Sequence, residues 1–202
     1  MAINLANNNS LANITALPSS ISGGGMTLIS EQTASGSATI DFTSGIDDTY
    51  DSYVFKFYNI HPETDNVGFN FNMSTDGGSN YNVTKTTTEF GAYHNETDTA
   101  SALGYNGSND LAQSTSDQRL ASVDLGNGSD ESFNGYLQLF NPSSTTFVKH
   151  FISNNSYYHG ASYAIENFVA GYGNTTSAVN AIIFRMSSGN IDSGVIKLYG
   201  IS

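Results

Sequence analysis

The stretch Val67-Gly68-Phe69-Asn70-Phe71-Asn72-Met73, followed by Asp76-Gly77-Gly78, decides the fold class. Apolar and polar residues alternate through its seven residues, which is the period of a β-strand with its four large apolar side chains on one face. Asp-Gly-Gly then supplies the positive-φ residues that a tight hairpin turn requires. We therefore predict a half-buried strand with outward-facing asparagines. A partner strand is predicted over residues 81–88, which are rich in β-branched side chains.

Similar runs recur along the rest of the chain, most of them ended by Gly or Asn turn residues. They predict further strands at residues 37–42, 53–58, 119–125, 133–140, 147–152, 178–186 and 195–201. About ten short antiparallel strands indicate an all-β protein, namely an antiparallel β-sandwich of jelly-roll type. Residues 95–116 are the exception because they contain few β-branched residues. We predict a long surface excursion there, with a helical turn near residues 110–113.

Residues 1–25 differ from the remainder and divide the chain into an arm and a sandwich over residues 26–202. Pro18 interrupts any helix in this segment, and Gly23-Gly24-Gly25 forms a hinge. The segment has no basic and apolar regions of a signal peptide. We interpret it as a short extended N-terminal anchoring arm, a frayed terminus being the alternative. The anchoring side chains would be the spaced apolar residues Ile3, Leu5, Leu11, Ile14, Leu17 and Ile21.

Composition excludes several classes of function. The 202 residues include 12 Tyr and 12 Phe, too many aromatic side chains for a globally disordered chain. The absence of Cys removes thiol catalysis and Cys-ligated zinc. Six Lys and Arg against 18 Asp and Glu give a net charge of −12, which argues against nucleic acid as a partner. No apolar run approaches the length of a membrane span, so we expect no membrane partner.

Paired carboxylates are the strongest catalytic signal, because glycoside hydrolysis needs two acids across a cleft. Three pairs lie in polar loops where acids usually only solvate the surface, and Glu166 stands alone among apolar residues; the pairs are Glu63 with Asp65, Glu96 with Asp98, and Asp130 with Glu131. The histidines show no ligand spacing, and the acidic loops do not match the EF-hand pattern. We therefore predict no enzyme, no catalytic residue, no cofactor and no bound metal, and a polysaccharide depolymerase is the least favoured hypothesis.

One aromatic cluster points to a possible binding site. It comprises Tyr157, Tyr158, His159, Tyr163 and Tyr172, close in sequence to several asparagines. Exposed tyrosines beside amide groups can stack on sugar rings, which would make the cluster a glycan-binding surface. Alternatively, some of the five are core residues and the others anchor a protein interface, where tyrosine is enriched.

Several segments, distributed over the whole chain, are characteristic in combination. They are residues 10–18 (SLANITALP), the Gly23–Gly25 hinge with Leu28-Ile29-Ser30, residues 53–62 (YVFKFYNIHP), residues 74–81 (STDGGSNY), Phe140-Asn141-Pro142 and the ending from Ser187 to Ile201. In this combination the chain resembles a family of small β-rich structural proteins of tailed phages that infect marine bacteria. The resemblance implies membership of a virion and brings no catalytic residues with it.

The sequence thus predicts a non-enzymatic phage virion structural protein, assembled in the host cytoplasm. Its arm would anchor it, and its sandwich would project from the particle as a capsid decoration or cement protein or as part of a tail fibre. Expected partners are other virion proteins, of the capsid or tail, and copies of the chain itself, as a homotrimer. The alternative is a glycan-binding module by which a tail fibre recognises a host surface sugar.

Overall fold

The computed structural model describes residues 25–121 and 125–202. The six apolar residues of the predicted arm, Ile3, Leu5, Leu11, Ile14, Leu17 and Ile21, lie outside the described residues. Within the described ranges the regular structure is entirely β, and no helix is present that could cross a membrane. The strands are β1 (Thr27–Ser37), β2 (Ile40–Phe42), β3 (Ser52–Pro62), β4 (Phe69–Ser74), β5 (Lys85–Asn95), β6 (Ser101–Tyr105), β7 (Gln118–Arg119), β8 (Phe133–Phe140), β9 (Lys149–His159), β10 (Tyr163–Gly173), β11 (Ala181–Met186) and β12 (Ile191–Ile201).

These strands form two antiparallel sheets. The larger sheet has the order β1-β12-β3-β8-β9-β10-β5-β6, and the smaller has the order β2-β11-β4-β7. The predicted all-β antiparallel sandwich is therefore confirmed. The first four strands alternate between the sheets in chain order, an arrangement that favours the jelly-roll type, which stays a prediction.

Two pairs of strands extend the larger sheet beyond the smaller one. We call β1, β12, β3 and β8 the sandwich half of the large sheet. The small sheet also has four strands, and its strands β2, β4 and β11 pack on this half. We call β9, β10, β5 and β6 the hairpin half, because β9 pairs with β10 and β5 with β6 as successive antiparallel strands. The hairpin half makes the large sheet twice as wide as its partner.

Phenylalanine side chains fill the space between the two sheets. Phe57 of β3 packs against Phe69 of β4, Phe133 of β8 and Phe184 of β11, with ring centroids 5.4, 5.7 and 5.2 Å apart. All four rings are essentially inaccessible to solvent. Edge-to-face packing of this kind adds to the hydrophobic stabilisation from burial. These four rings therefore lie under the sandwich half of the large sheet, and the core continues under β9 and β10 through Phe151, Tyr157, Ile165 and Val169.

The hairpin predicted at residues 67–88 is wrong, although its turn forms. Gly77 and Gly78 adopt positive φ angles of 71° and 90°, as the sequence requires. However, β4 pairs with β11 and β7, whereas β5 joins the other sheet beside β10 and β6. Asn72, predicted to face solvent, is 1 % exposed. It is buried because its amide donates to the carbonyl of Thr115 and the carboxylate of Asp117, each at 3.0 Å.

Two further segments differ from their predicted structure. Residues 95–116 contain the exposed strand β6, and residues 110–113 form no helical turn. Strand β10 was not predicted, because its sequence, Tyr163-Ala-Ile-Glu-Asn-Phe-Val-Ala-Gly-Tyr-Gly173, combines apolar residues on both faces with buried Asn167. Strand β8 was predicted with the bounds that the structure shows.

Candidate functional site

The five aromatic residues of the predicted cluster lie in different places. Tyr157 is buried in the core, where its ring lies 5.7 Å from that of Phe133. Tyr163 and Tyr172 occupy opposite ends of β10, about 30 Å apart along an extended strand. The five side chains therefore do not form one continuous surface, since a strand alternates its side chains between two faces. Buried Tyr157 agrees with the alternative that some of the five are core residues, and the glycan-binding role stays a prediction.

Two members of that cluster, His159 and Tyr163, line a cleft at the end of the hairpin half. We call it the aromatic cleft; it has a volume of about 320 Å³ and is lined by Tyr93, His159, Ala161, Tyr163 and Ile165. The Tyr163 ring contacts the rings of Tyr93 and His159 edge to face, with centroids 5.6 and 5.5 Å apart. Tyr93, which the sequence did not single out, is 41 % exposed. Ring faces and edges here meet solvent in a concave site.

Polar groups surround the aromatic cleft. The imidazole Nδ1 of His159 accepts a hydrogen bond from the backbone N–H of Ala161 at 2.9 Å, so the neutral ring carries its proton on Nε2. Tyr158 precedes His159 on β9, so its side chain points to the opposite face of the sheet. Its hydroxyl donates a hydrogen bond to the carboxylate of Glu96 at 3.0 Å. Tyr158 is therefore separated from the cleft that contains its neighbour.

The interior beneath β5 contains charged side chains that no sequence motif pointed to. Glu89 is fully buried, and its Oε1 accepts hydrogen bonds from the amides of Asn106 and Asn109, each at 3.3 Å. Burial raises the pKa of Glu89 to about 7, although these hydrogen bonds and the charge of Arg119 act in the opposite direction. The carboxyl therefore changes its charge state near neutral pH.

Lys85, on the same strand, is equally buried. Its ammonium donates to Asn72 Oδ1 at 2.6 Å and to the carbonyl of Val83 at 2.8 Å. Burial lowers the pKa of Lys85 to about 8, while the nearby charge of Asp117 opposes that shift. Asp117 is itself held by Arg185 through two hydrogen bonds of 2.6 and 2.9 Å.

These buried groups bind the segment that covers them. The hydroxyl of Thr87 donates to Gln118 Oε1 at 2.6 Å and accepts the backbone N–H of Leu111 at 2.7 Å. The amide of Asn167 on β10 donates to the carbonyl of Leu120 at 3.0 Å. The segment that covers this part of the large sheet brings backbone N–H and C=O groups into the interior, and each of them must find a hydrogen-bond partner. The charged and amide side chains of the hairpin half therefore have a structural role.

The carboxylates considered for catalysis mostly fix loops. Asp65 Oδ1 accepts the backbone N–H of Asn127 at 3.3 Å, and Glu131 Oε2 accepts that of Gly128 at 2.6 Å. Beside them lies a polar cleft of about 660 Å³ that includes His61 and Asp192, with Nδ1 and Oδ2 3.5 Å apart. In the parts of the chain that the structure describes, no group of three or more acidic or histidine side chains could hold a metal ion.

The outer surface of the hairpin half, continued onto the adjoining strand β8, is the most extensive apolar surface of the protein that we identify. Along one cross-strand row, Tyr105, Phe90 and Phe168 are paired neighbours on β6, β5 and β10. The rings of Phe90 and Phe168 stack with centroids 5.0 Å apart and planes inclined by 9°. We call this surface the aromatic face; its outward side chains are Thr86, Thr88, Phe90, Leu103, Tyr105, Tyr136, Gln138, Phe140, His150, Ile152, Asn154, Phe168, Ala170 and Tyr172.

The aromatic face contains no Asp, Glu, Lys or Arg. Two acids lie beside its members: Asp110 accepts a hydrogen bond from the hydroxyl of Tyr105, and exposed Glu166 lies in the cross-strand row of Ala92 and Leu103. Tyr172 of the predicted cluster belongs to this face, beside His150 with ring centroids 6.0 Å apart. The sequence signal that could have revealed the face is the alternation in 86–90, which places Thr86, Thr88 and Phe90 opposite the buried polar residues Thr87 and Glu89.

No protein-family model matches the chain, and comparisons with curated proteins and with solved structures also give no match.

Proposed function

We propose that the chain is a non-enzymatic structural protein of a tailed-phage virion, as the resemblance of its sequence implies. Its sandwich would project from the particle as a capsid decoration or cement protein or as part of a tail fibre. The observation that carries the proposal is the aromatic face, a broad uncharged surface on a chain with a net charge of −12. A surface of this kind marks a contact that assembly covers.

The position of β1 also supports an assembly role. Strand β1 begins at Thr27, which pairs with Gly200, and it forms one edge of the large sheet. Residues 1–25 are therefore connected to the sandwich at a sheet edge, where a neighbouring protein can be reached without crossing the core. Spaced apolar side chains on a segment attached there suit anchoring to another virion protein.

The first test is to purify particles, count copies of the chain in each and image their position. Many copies on the head lattice would indicate decoration, and few copies at the tail would indicate a fibre. Deleting residues 1–25 is expected to abolish attachment to the particle while the melting temperature of the sandwich stays unchanged. Full attachment of the truncated chain would contradict the anchoring role, and absence of the chain from particles would contradict the whole proposal.

A glycan-binding role is the second candidate, favoured by the aromatic cleft. Tyr93, Tyr163 and His159 line a concave site, and pockets of this size with aromatic walls and a few polar groups suit small ligands. Tyr93→Ala is expected to weaken binding to host-surface glycans without lowering the melting temperature. The matched control is Tyr58→Ala, because Tyr58 is 40 % exposed but lies on β3. Equal loss of glycan binding in both variants would remove the cleft as the site.

A further inference from the structure

The aromatic face exposes a large apolar area to solvent. Five of its large side chains are at least a third exposed: Leu103 at 75 %, Tyr105 at 62 %, Phe90 at 45 %, Ile152 at 40 % and Phe140 at 36 %. With roughly 200 Å² for a whole side chain of this size, the five expose about 500 Å². The partly exposed members of the face add to that area. The total approaches the ~800 Å² per partner that a stable protein interface buries.

Charge distinguishes this face from its surroundings. The chain carries 18 acidic and 6 basic residues, so two copies repel each other at most orientations. A contact between copies is favourable only where neither contributes a carboxylate to the interface. The cross-strand rows through Phe90 and Ile152 meet that condition because they contain no acid on β5, β10, β9 and β8, and Glu166 lies in the next row, with Ala92 and Leu103.

The shape of the face is suited to a surface like itself. Phe90 and Ile152 project from it, and two apolar hollows lie beside them with volumes of about 250 and 330 Å³. Both hollows have Ala170 in their lining, where a small side chain leaves space between larger ones. A surface that carries apolar projections together with apolar hollows can pack against a second copy of itself, each copy filling the hollows of the other.

Ring orientation argues against a sugar as the occupant of this face. Stacking on a sugar requires an exposed flat ring face, as in the aromatic cleft. The rings of Phe90 and Phe168 instead lie face to face, at 9° and 5.0 Å, so each covers one flat side of the other. The stacked pair therefore offers fewer free ring faces than two separate rings would, and it suits packing against apolar protein side chains.

We propose that the aromatic face binds a second copy of this chain, through Ile152, Phe90 and Leu103 on one copy and the same surface on the other. The inference rests on the proposed assembly role, in which copies of the chain meet one another, and it identifies the surface through which they do so. It does not depend on the arm or on the aromatic cleft.

Sedimentation equilibrium of the full chain tests the proposal. The wild-type chain is expected to sediment above its monomer mass of 21.5 kDa. Replacing Ile152 and Leu103 together by Glu brings like charges together in the contact, and we expect self-association to weaken by at least about tenfold. Both side chains are exposed, so the variant is expected to retain the wild-type circular dichroism spectrum and melting temperature.

Leu28→Glu is the matched control, because Leu28 is a half-exposed leucine on β1, at the opposite edge of the same sheet. This variant is expected to associate like the wild type. Three results would each overturn the proposal. The wild-type chain could be monomeric at every concentration, the Leu28→Glu variant could associate as weakly as the double variant, or the double variant could associate like the wild type. Association in solution by a chain that never enters particles would overturn the proposed function alone. A virion-bound chain that is monomeric in solution and on the particle would overturn this inference alone.

Discussion

The two halves of the large sheet distribute their polar and apolar side chains in opposite ways. A single cross-strand row on the outer surface runs from Glu31, Lys197 and Lys56 in the sandwich half to Phe168 and Phe90 in the hairpin half. Beneath the charged end of the sheet the interior is packed with phenylalanine. Beneath the aromatic end it contains Lys85 and Glu89, both fully buried.

The layer that covers each half accounts for the difference in the interior. A second sheet satisfies its own backbone hydrogen bonds and presents only side chains, so the sandwich half can bury aromatic rings against it. The covering of the hairpin half includes a loop over residues 106–117, which continues into the short strand β7 of the small sheet. Backbone groups of residues 106–120 bond to inward polar side chains. Phe151, Tyr157, Ile165 and Val169 of the hairpin strands are buried, but Phe90, Leu103 and Ile152 lie on the outer surface. Only a contact with another molecule removes those three from water.

The largest effect is expected from Phe57→Ala in the sandwich half. Phe57 is 1 % exposed and contacts three other phenylalanine rings, so its loss leaves a cavity that the core cannot close. We expect the free energy of unfolding to fall by about 4 kcal/mol, measured by denaturant titration. The matched variant is Phe90→Ala on the outer surface of the hairpin half, which should cost the isolated chain far less. Equal losses in the two variants would contradict the distinction between the halves.

The pH dependence of stability is expected to come largely from Glu89. Its pKa rises from 4.5 to about 7 on folding, so the folded chain holds a proton that the unfolded chain has released. Folding stability therefore decreases as the pH rises from about 4.5 to about 7, by up to about 3 kcal/mol in total. The groups facing this carboxyl are Asn106, Asn109, Asn167, Arg119 and Asp110.

Glu89→Gln tests this assignment, because the amide keeps the shape of the carboxyl and does not titrate. The difference in unfolding free energy between variant and wild type should shift in favour of the variant as the pH is raised through this range. The control is Glu166→Gln, in which the acid removed is exposed on the next strand. A difference between the Glu89 variant and the wild type that is constant with pH would show that the buried carboxyl does not carry the dependence.

Sequence periodicity predicted β3, β8 and β12 of the sandwich half but neither β10 nor β6 of the hairpin half, for a physical reason. It also missed the edge strand β1, in which only Ala34 is buried and no apolar alternation marks a face. In the sandwich half alternation coincides with burial, as in β8, because one face meets a sheet and the other meets water. In β10 the apolar side chain of Phe168 points outward, whereas the polar side chain of Asn167 is buried. The alternation of apolar and polar residues therefore does not show which face of β10 is buried. The aromatic cleft was half anticipated, through His159 and Tyr163. Tyr93 was not, because only the pairing of β5 with β10 brings it to them.

Thr87→Val is expected to have an intermediate effect that is confined to the hairpin half. Valine fills the same volume but can neither donate to Gln118 nor accept the backbone N–H of Leu111. Two buried polar groups then lose a partner, at a cost of about 2 kcal/mol. Hydrogen exchange should show faster exchange at residues 106–120 and unchanged protection in β3 and β12. Equal loss of protection in both halves would mean that the loop is not an independent covering layer.

The smallest effect is expected from Glu31→Gln, which removes one partner of the Lys197 ion pair from the outer surface of the sandwich half. The two charges lie 2.9 Å apart, and both side chains remain partly exposed. Water and salt screen such a pair, and ordering the two long side chains offsets most of its attraction. The change in melting temperature should therefore be near the limit of detection and should vanish in concentrated salt. A large, salt-insensitive loss would show that charges on the sandwich half also belong to a buried contact, and the contrast in function between the two outer surfaces would no longer hold.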